Sequence, residues 1–261
     1  MIRKLLLPLL LVVPLTALAT PSEDQGLAIA KAQDKANKGY KDNVSEMTMV
    51  LRNAQGSETK RYLKSYSLEV HTPGDGDKSK MLFDQPADIK GTAILTYSHG
   101  LAGDDQWLFL PATNRVKRLN SQNKSGPFLG SEFAYEDLSS PVVEKYGYNY
   151  LRKEKCGNLE CHVIERTPKY AYSGYTRQIT WIDTGELRTM KVEYYDRKNA
   201  LLKTLVNEDF KKYAGKFWRA GKSTMTNAQT GKSTILTVSD IKFGTGLRES
   251  DFEPSALENM H

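Results

Sequence analysis

The stretch Val44-Ser45-Glu46-Met47-Thr48-Met49-Val50-Leu51-Arg52 decides the fold. Met47, Met49 and Leu51 alternate with Thr48, Val50 and Arg52, the period-two pattern of a strand with one apolar face. Ala54-Gln55-Gly56 follows as a turn. A second run from Glu58 to Val70 then returns, with Tyr62, Tyr66, Leu68 and Val70 at even spacing. Outward from this hairpin nearly everything downstream reads as strand. The candidates are Lys80–Asp84, Thr92–Ser98, Gln106–Pro111 and Arg115–Leu119, then Tyr148–Lys155, His162–Pro168 and Thr176–Asp183. Leu187–Asp196, Leu201–Tyr213, Phe217–Asn227 and Ser233–Phe243 complete the series. Short polar links such as Ala112-Thr113-Asn114 and Asp183-Thr184-Gly185-Glu186 predict hairpins. His71–Asp77, with Pro73, Gly74 and Gly76, predicts a loop. One helix is expected over Ser22–Lys38, where Leu27, Ile29, Ala30 and Ala36 lie among charges and Gly39 supplies a stop. A short helical turn is expected around Glu132–Leu138, and a terminal helical piece after Phe252. Long strands joined in up-and-down order curl into a barrel-like sheet.

Upstream, Arg3 and Lys4 precede an apolar run from Leu5 to Leu15, closed by Ala17-Leu18-Ala19. A charged start, a short greasy core and a small-x-small ending predict a secretory signal peptide over residues 1–19, cleaved near Ala19. The run is shorter than the roughly 20 residues needed to span a bilayer. Residues 20–261 read as a single exported domain, with no Pro/Ser linker to divide it.

The formal charge is +6, with 31 acidic residues spread through the chain and no polybasic block. This excludes a nucleic-acid-binding reading and leaves a weak bias toward anionic membrane surfaces. The two cysteines, Cys156 and Cys161, flank Gly157 and Asn158, which are turn formers. In an oxidising compartment a disulfide across a tight turn is expected.

No metal spacing, phosphate-binding loop or nucleophile elbow is present. Ser98-His99-Gly100 precedes Gly103-Asp104-Asp105. His99 therefore reads either as a general base beside Asp104 or Asp105, hence a hydrolase, or as part of a polar loop. The run from Lys124 to Leu138 mixes glycine, proline, aromatics and acids. Three readings stay open for it: a catalytic segment using Glu132, Glu136 or Asp137, a flap of Phe128, Leu129 and Phe133 over an apolar mouth, or a plug at one end of the sheet. A sheet this large with so few helices lacks cover for its whole inner face, and this predicts a hollow able to take an acyl chain.

Several motifs follow one another in order. They are Asp84-Gln85-Pro86-Ala87-Asp88-Ile89-Lys90-Gly91-Thr92, Trp107-Leu108-Phe109-Leu110-Pro111, Arg115-Val116-Lys117-Arg118 and Gly126-Pro127-Phe128-Leu129-Gly130-Ser131-Glu132-Phe133 with Tyr135-Glu136-Asp137-Leu138. Over roughly residues 70–255 the chain resembles the LolA-like family of outer-membrane lipoprotein-sorting proteins. The resemblance implies a mainly β (α+β) fold, a half-open antiparallel β-barrel of about 11 strands with a helical lid. It implies a periplasmic, non-enzymatic carrier of lipid or acylated protein cargo, working as a monomer with transient membrane contact. It also implies an inner-membrane exporter of the resistance-nodulation-division type as partner, with no cofactor. The candidate ligand contacts come from the residues themselves, the aromatic strand positions and the flap reading: Trp107, Phe109, Phe128, Leu129, Phe133 and Tyr135. The competing reading is a sensor module of the RseB type that regulates a membrane partner.

Overall fold

The structure, a computed structural model, describes residues 20–259; the expected signal peptide lies outside the described residues. Helix α1 spans Pro21–Asn37. Fifteen strands follow: β1 Asp42–Arg52, β2 Glu58–Leu68, β3 Asp75–Gln85, β4 Ala93–His99, β5 Asp105–Leu110, β6 Arg115–Arg118, β7 Tyr146–Cys156, β8 Leu159–Pro168, β9 Tyr175–Asp183, β10 Thr189–Asp196, β11 Leu201–Glu208, β12 Lys211–Tyr213, β13 Phe217–Arg219, β14 Lys222–Asn227 and β15 Ser233–Phe243. The architecture is mainly β, as expected.

Thirteen strands form one antiparallel sheet in the order β6-β5-β4-β3-β2-β1-β15-β14-β11-β10-β9-β8-β7, and β12 and β13 form a separate hairpin. The expected count of about 11 was too low, and the sheet is not closed: β6 and β7 are its two rims. The figure of about 11 comes from the resemblance; the thirteen strand candidates of the sequence each find a strand of the sheet, and the departure lies within two of them. Leu201–Tyr213 and Phe217–Asn227 each read as one strand, but each breaks. Asp209 turns left-handed at φ +53°, and a Cβ on Gly221 would sit 2.7 Å from the Asp209 carbonyl. The paired breaks release β12 and β13 from the sheet and swing them over its inner face. The expected loop 71–77 is also partly strand, because Asp75 pairs with His99 on β4. There Gly76 lets Ser140, Val142 and Ser98 approach to within 2.8 Å of where its Cβ would be.

Helix α1 starts at a capping box: Glu23 N–H donates to Thr20 Oγ1 at 3.3 Å, and Thr20 N–H donates to Glu23 Oε2 at 2.6 Å. Gly26, Ile29, Ala30 and Gln33 share its inward stripe. A Cβ on Gly26 would lie 3.0 Å from the Asn149 and Tyr150 backbone, so the helix rests directly on rim strand β7. Ile29 packs with Ile164 and Ile182 from β8 and β9.

Side chains alternate between the two faces of the sheet. On the outer face of β3–β5, Leu82, Ala93, Leu95 and Phe109 are sealed by Phe252 and Leu257. These last two come from 3₁₀ turns over Glu249–Phe252 and Pro254–Asn259, the expected terminal helical piece. On the inner face of the same region Met49, Leu63, Phe83, Ile94 and Leu108 close around Phe128. Phe128 belongs to residues 119–145, which join rim strand β6 to rim strand β7 and therefore cross the inside of the sheet. The disulfide Cys156–Cys161 closes the β7–β8 hairpin with Cα atoms 5.8 Å apart, as expected.

Candidate functional site: a covered hollow on the inner face

The crossing segment fills only part of the inner face. Beside it lies a cavity of about 1150 Å³, above the ~300–1,000 Å³ typical of small-ligand sites. Strands far apart in the sheet order contribute to one wall, so the sheet curls around it. The floor carries Asn43, Ser45 and Met47 of β1, Ser65 and Ser67 of β2, Met81 of β3, Ile164 and Arg166 of β8, Asn207 of β11, Ser223 of β14 and Val238 and Ile241 of β15. The cover is α1, with Ala30, Gln33 and Asn37, and the β12–β13 hairpin, with Lys212, Trp218 and Arg219. The hollow expected from the strand-rich sequence is present, but its floor is not uniformly apolar. Ser45 faces Ser65 and Asn43 faces Ser67 across β1 and β2, and Ser223 donates to Asn207 Oδ1 at 2.7 Å.

The cover is tied down by polar contacts at its ends. Gln33 Nε2 donates to the Leu187 carbonyl at 2.8 Å and to Thr189 Oγ1 at 3.0 Å. Lys216 Nζ donates to the Lys38 carbonyl at 2.6 Å, and Arg219 to Asn37 Oδ1 at 3.2 Å. Glu69 accepts from the N–H groups of Gly39 and Lys41 at 2.6 and 2.9 Å. Tyr40 stands edge-on to Phe217 and Phe243 and donates its hydroxyl to Asp77 Oδ2 at 2.8 Å. Burial pushes the Asp77 carboxyl above the usual carboxylate range, against the opposing Tyr40 hydrogen bond. Burial likewise raises Tyr40, reinforced by the Asp77 charge. The Arg219 guanidinium is pushed down by burial.

None of the six residues expected to contact ligand lines this cavity. Trp107 and Phe109 project from the opposite face of β5, where Phe109 packs in the outer cluster and Trp107 stacks edge-on against Tyr97 at 4.9 Å. Period-two alternation finds a strand but does not say which face turns inward. Phe128 is fully buried against the Phe83 ring at 5.9 Å. Leu129 and Tyr135 pack on the same cluster, and Phe133 packs with Tyr175, Val192, Tyr194 and Met225. Of the three readings of the crossing segment, its packing is that of a plug.

The acids of that segment anchor it. Asp137 and Lys203 form a buried ion pair at 2.6 Å, and Tyr175 donates to the same carboxylate at 2.8 Å. Glu136 accepts from the Gly174 N–H at 2.8 Å and from the Ser173 and Tyr170 hydroxyls. Glu132 Oε2 accepts from Asn227 Nδ2 at 2.7 Å. The short turn expected around Glu132–Leu138 is a 3₁₀ turn over Tyr135–Leu138. Asp104 is engaged too: it pairs with buried Lys145 at 2.6 Å and accepts from Ser139 Oγ. His99 sits between Asp75 at 2.7 Å and Asp105 at 3.4 Å. Among the described residues no group of three or more His, Cys, Asp or Glu is placed to hold a metal. No helix of the described residues is long and apolar enough to cross a membrane.

The model of one protein family, described only as an uncharacterized protein, matches residues 75–259. No curated protein matches the sequence. A domain assigned to outer membrane lipoprotein sorting in Vibrio parahaemolyticus is 51% identical, with TM-score 0.88 over 90% of this chain and 99% of that one. A DUF1329 family protein from Desulfovibrio piger is 31% identical, with TM-score 0.86 over 91% of this chain and 100% of that one. A LolA superfamily protein from Nitrosomonas europaea, 23% identical with TM-score 0.70 over 87% of this chain and 97% of that one, shares the fold. On its sequence, its open antiparallel sheet and these likenesses, the chain belongs to the LolA-like family of outer-membrane lipoprotein-sorting proteins.

Proposed function

We propose that the protein is an exported, periplasmic carrier that shelters a lipid or an acylated protein from water and delivers it toward the outer membrane. The observation that carries this reading is the hollow under α1 and the β12–β13 hairpin. It is roofed by a helix that leans on the β7–β9 side through Gly26 and Ile29 and by a hairpin tied to that helix through Lys216 and Arg219, and it is large enough for acyl chains. Met47, Met81, Val238, Ile241 and the ring of Trp218 give such a chain an apolar bed, with burial contributing about 0.8 kcal/mol per CH₂. The serines and asparagines of the floor keep the bed from being a uniform grease trap, which suits a carrier that must also release. Loading and release proceed by displacement of the cover, while the plugged half of the sheet stays rigid. The proposal includes an inner-membrane exporter of the resistance-nodulation-division type as partner. The expectation that the protein is no enzyme belongs to this proposal, and replacing His99 by Ala is expected to leave binding unchanged.

The experiment is organic extraction of the protein purified from its own periplasm, followed by mass spectrometry, together with titration of a fluorescent acyl probe. Co-purifying lipid and saturable probe uptake are expected. A protein free of lipid that also takes up no probe would remove the carrier reading.

A further inference from the structure

Among the cationic side chains on the cavity wall, one stands apart. Arg188 is neutralised by Asp183 at 2.7 Å, Lys38 by Asp34 at 2.9 Å and Lys212 by Glu186 at 3.6 Å. Two more lack a carboxylate but are placed by other contacts: Lys216 donates to the Lys38 carbonyl, and Arg219 donates to Asn37 and the Trp218 carbonyl and lies over the rings of Tyr40, Phe217 and Phe243. Arg166 has no such settlement. Its only hydrogen bond among the described residues runs from Nη2 to Gln178 Oε1 at 2.6 Å, and its Nε–H is buried without an acceptor. The Tyr146 ring lies beneath the guanidinium at 5.1 Å. No carboxylate of the described residues forms an ion pair with it, although a guanidinium offers five donors in a planar fork suited to carboxylate or phosphate.

Its position is defined by the sheet. Arg166 is directly opposite Tyr148 on β7 and Gln178 on β9, so a polar row crosses the rim side of the floor. Ile164, two residues earlier on the same face, already faces the apolar stripe of α1. The wall therefore changes from cationic to apolar within one strand. An unneutralised cation next to low-dielectric surface keeps its attraction for an anion far better than one in bulk water.

We infer that Arg166 is the anchor for an anionic head group, a carboxylate or a phosphate, borne by an amphiphile whose acyl chain lies along the rest of the hollow. This rests on the carrier reading and deepens it: the cargo is acidic, and it enters in one orientation. Charge-assisted hydrogen bonds to the fork supply the discrimination.

The test displaces a fluorescent acyl probe with palmitate, hexadecyl phosphate and hexadecanol, which share chain length and differ in head. The wild-type protein is expected to hold at least one of the two acids about tenfold more tightly than the alcohol, with the preference shrinking as salt is added. Arg166→Gln is expected to erase the preference while leaving hexadecanol binding intact. Either rank order between palmitate and hexadecyl phosphate supports the proposal and identifies the head. Equal binding of all three by the wild type, or an unchanged preference in Arg166→Gln, overturns the anchor and leaves the carrier standing. Failure of all three to displace a probe that does bind overturns the anchor alone; a protein that takes up no probe and carries no lipid overturns both. The wild-type comparison does not depend on any variant folding. Arg166→Lys, which keeps the charge and loses the fork, is expected to retain part of the preference.

Discussion

The inner face of the sheet is two surfaces written on the same strands. On β1 and β2 the inward positions at one end are Met49 and Leu63, both buried against Phe128; two to six residues away they are Asn43, Ser45, Ser65 and Ser67, which face the cavity. Met47 and Met81 mark the boundary, touching both the plugged cluster and the hollow. The difference teaches that the hollow is not a packing failure. Where large apolar side chains project inward, the crossing segment supplies Phe128 and Phe133 to meet them. Where the side chains are short and polar, none of the described residues fills the space, and α1 and the β12–β13 hairpin roof it over.

Breaking the filled half should therefore cost the most. Phe128→Ala is expected to destabilise by about 3–5 kcal/mol in a denaturant titration, as a fully buried aromatic in a close-packed site. A loss under about 1 kcal/mol would mean that the plug is loosely seated. Lys203→Met leaves Asp137 buried without its partner and is expected to cost about 3 kcal/mol. Adding Asp137→Leu to that variant should recover much of the loss, and a double-mutant cycle reads the coupling.

In the hollow half the opposite holds. Ser65→Leu projects into empty space, so the melting midpoint should move by the equivalent of less than about 1 kcal/mol, while the capacity for an acyl probe falls. A large destabilisation would show that the space is not free.

The smallest effect is a matter of pH. Burial, then the neighbouring Asp137 charge, hold the Glu136 carboxyl above the usual carboxylate range despite its three hydrogen bonds. A raised carboxyl favours the folded state below its ordinary value of about 4.3, and that contribution is lost as pH rises through the folded value. Measured against Glu136→Gln, the wild type should gain stability as the solution is acidified; a constant difference from neutral pH to about 4 would refute the assignment.

Much of this was legible in the chain. Ser233–Phe243 coincides with β15, and the hairpin 107–118 and the single disulfide were visible in alternation and turn residues. What was not legible depended on contacts distant in sequence. The break between β11 and β12 needs Asp209 and Gly221 to meet; each alone is unremarkable. The inward or outward sense of Trp107 and Phe109 is set by the C-terminal turns that cover them, more than a hundred residues away. Arg166 carried no signal either, because a lone arginine in a strand acquires meaning only when Arg188, Lys38 and Lys212 are seen to be neutralised and Lys216 and Arg219 to be placed by other contacts.

An open sheet must also guard its rims. Strand β6 is only four residues long and carries Arg115, Lys117 and Arg118, a charged stub that discourages pairing with another chain. Strand β7 has eleven residues; its second half carries Arg152, Lys153, Glu154 and Lys155, but its first half, residues 146–151, carries no charge. The close seat of Gly26 on Asn149 and Tyr150 makes α1 its guard. A bulkier residue at position 26 would lift the helix and bare a ladder of unmatched amide groups, so the first consequence of loosening that contact should be edge-to-edge self-association of the protein rather than loss of fold.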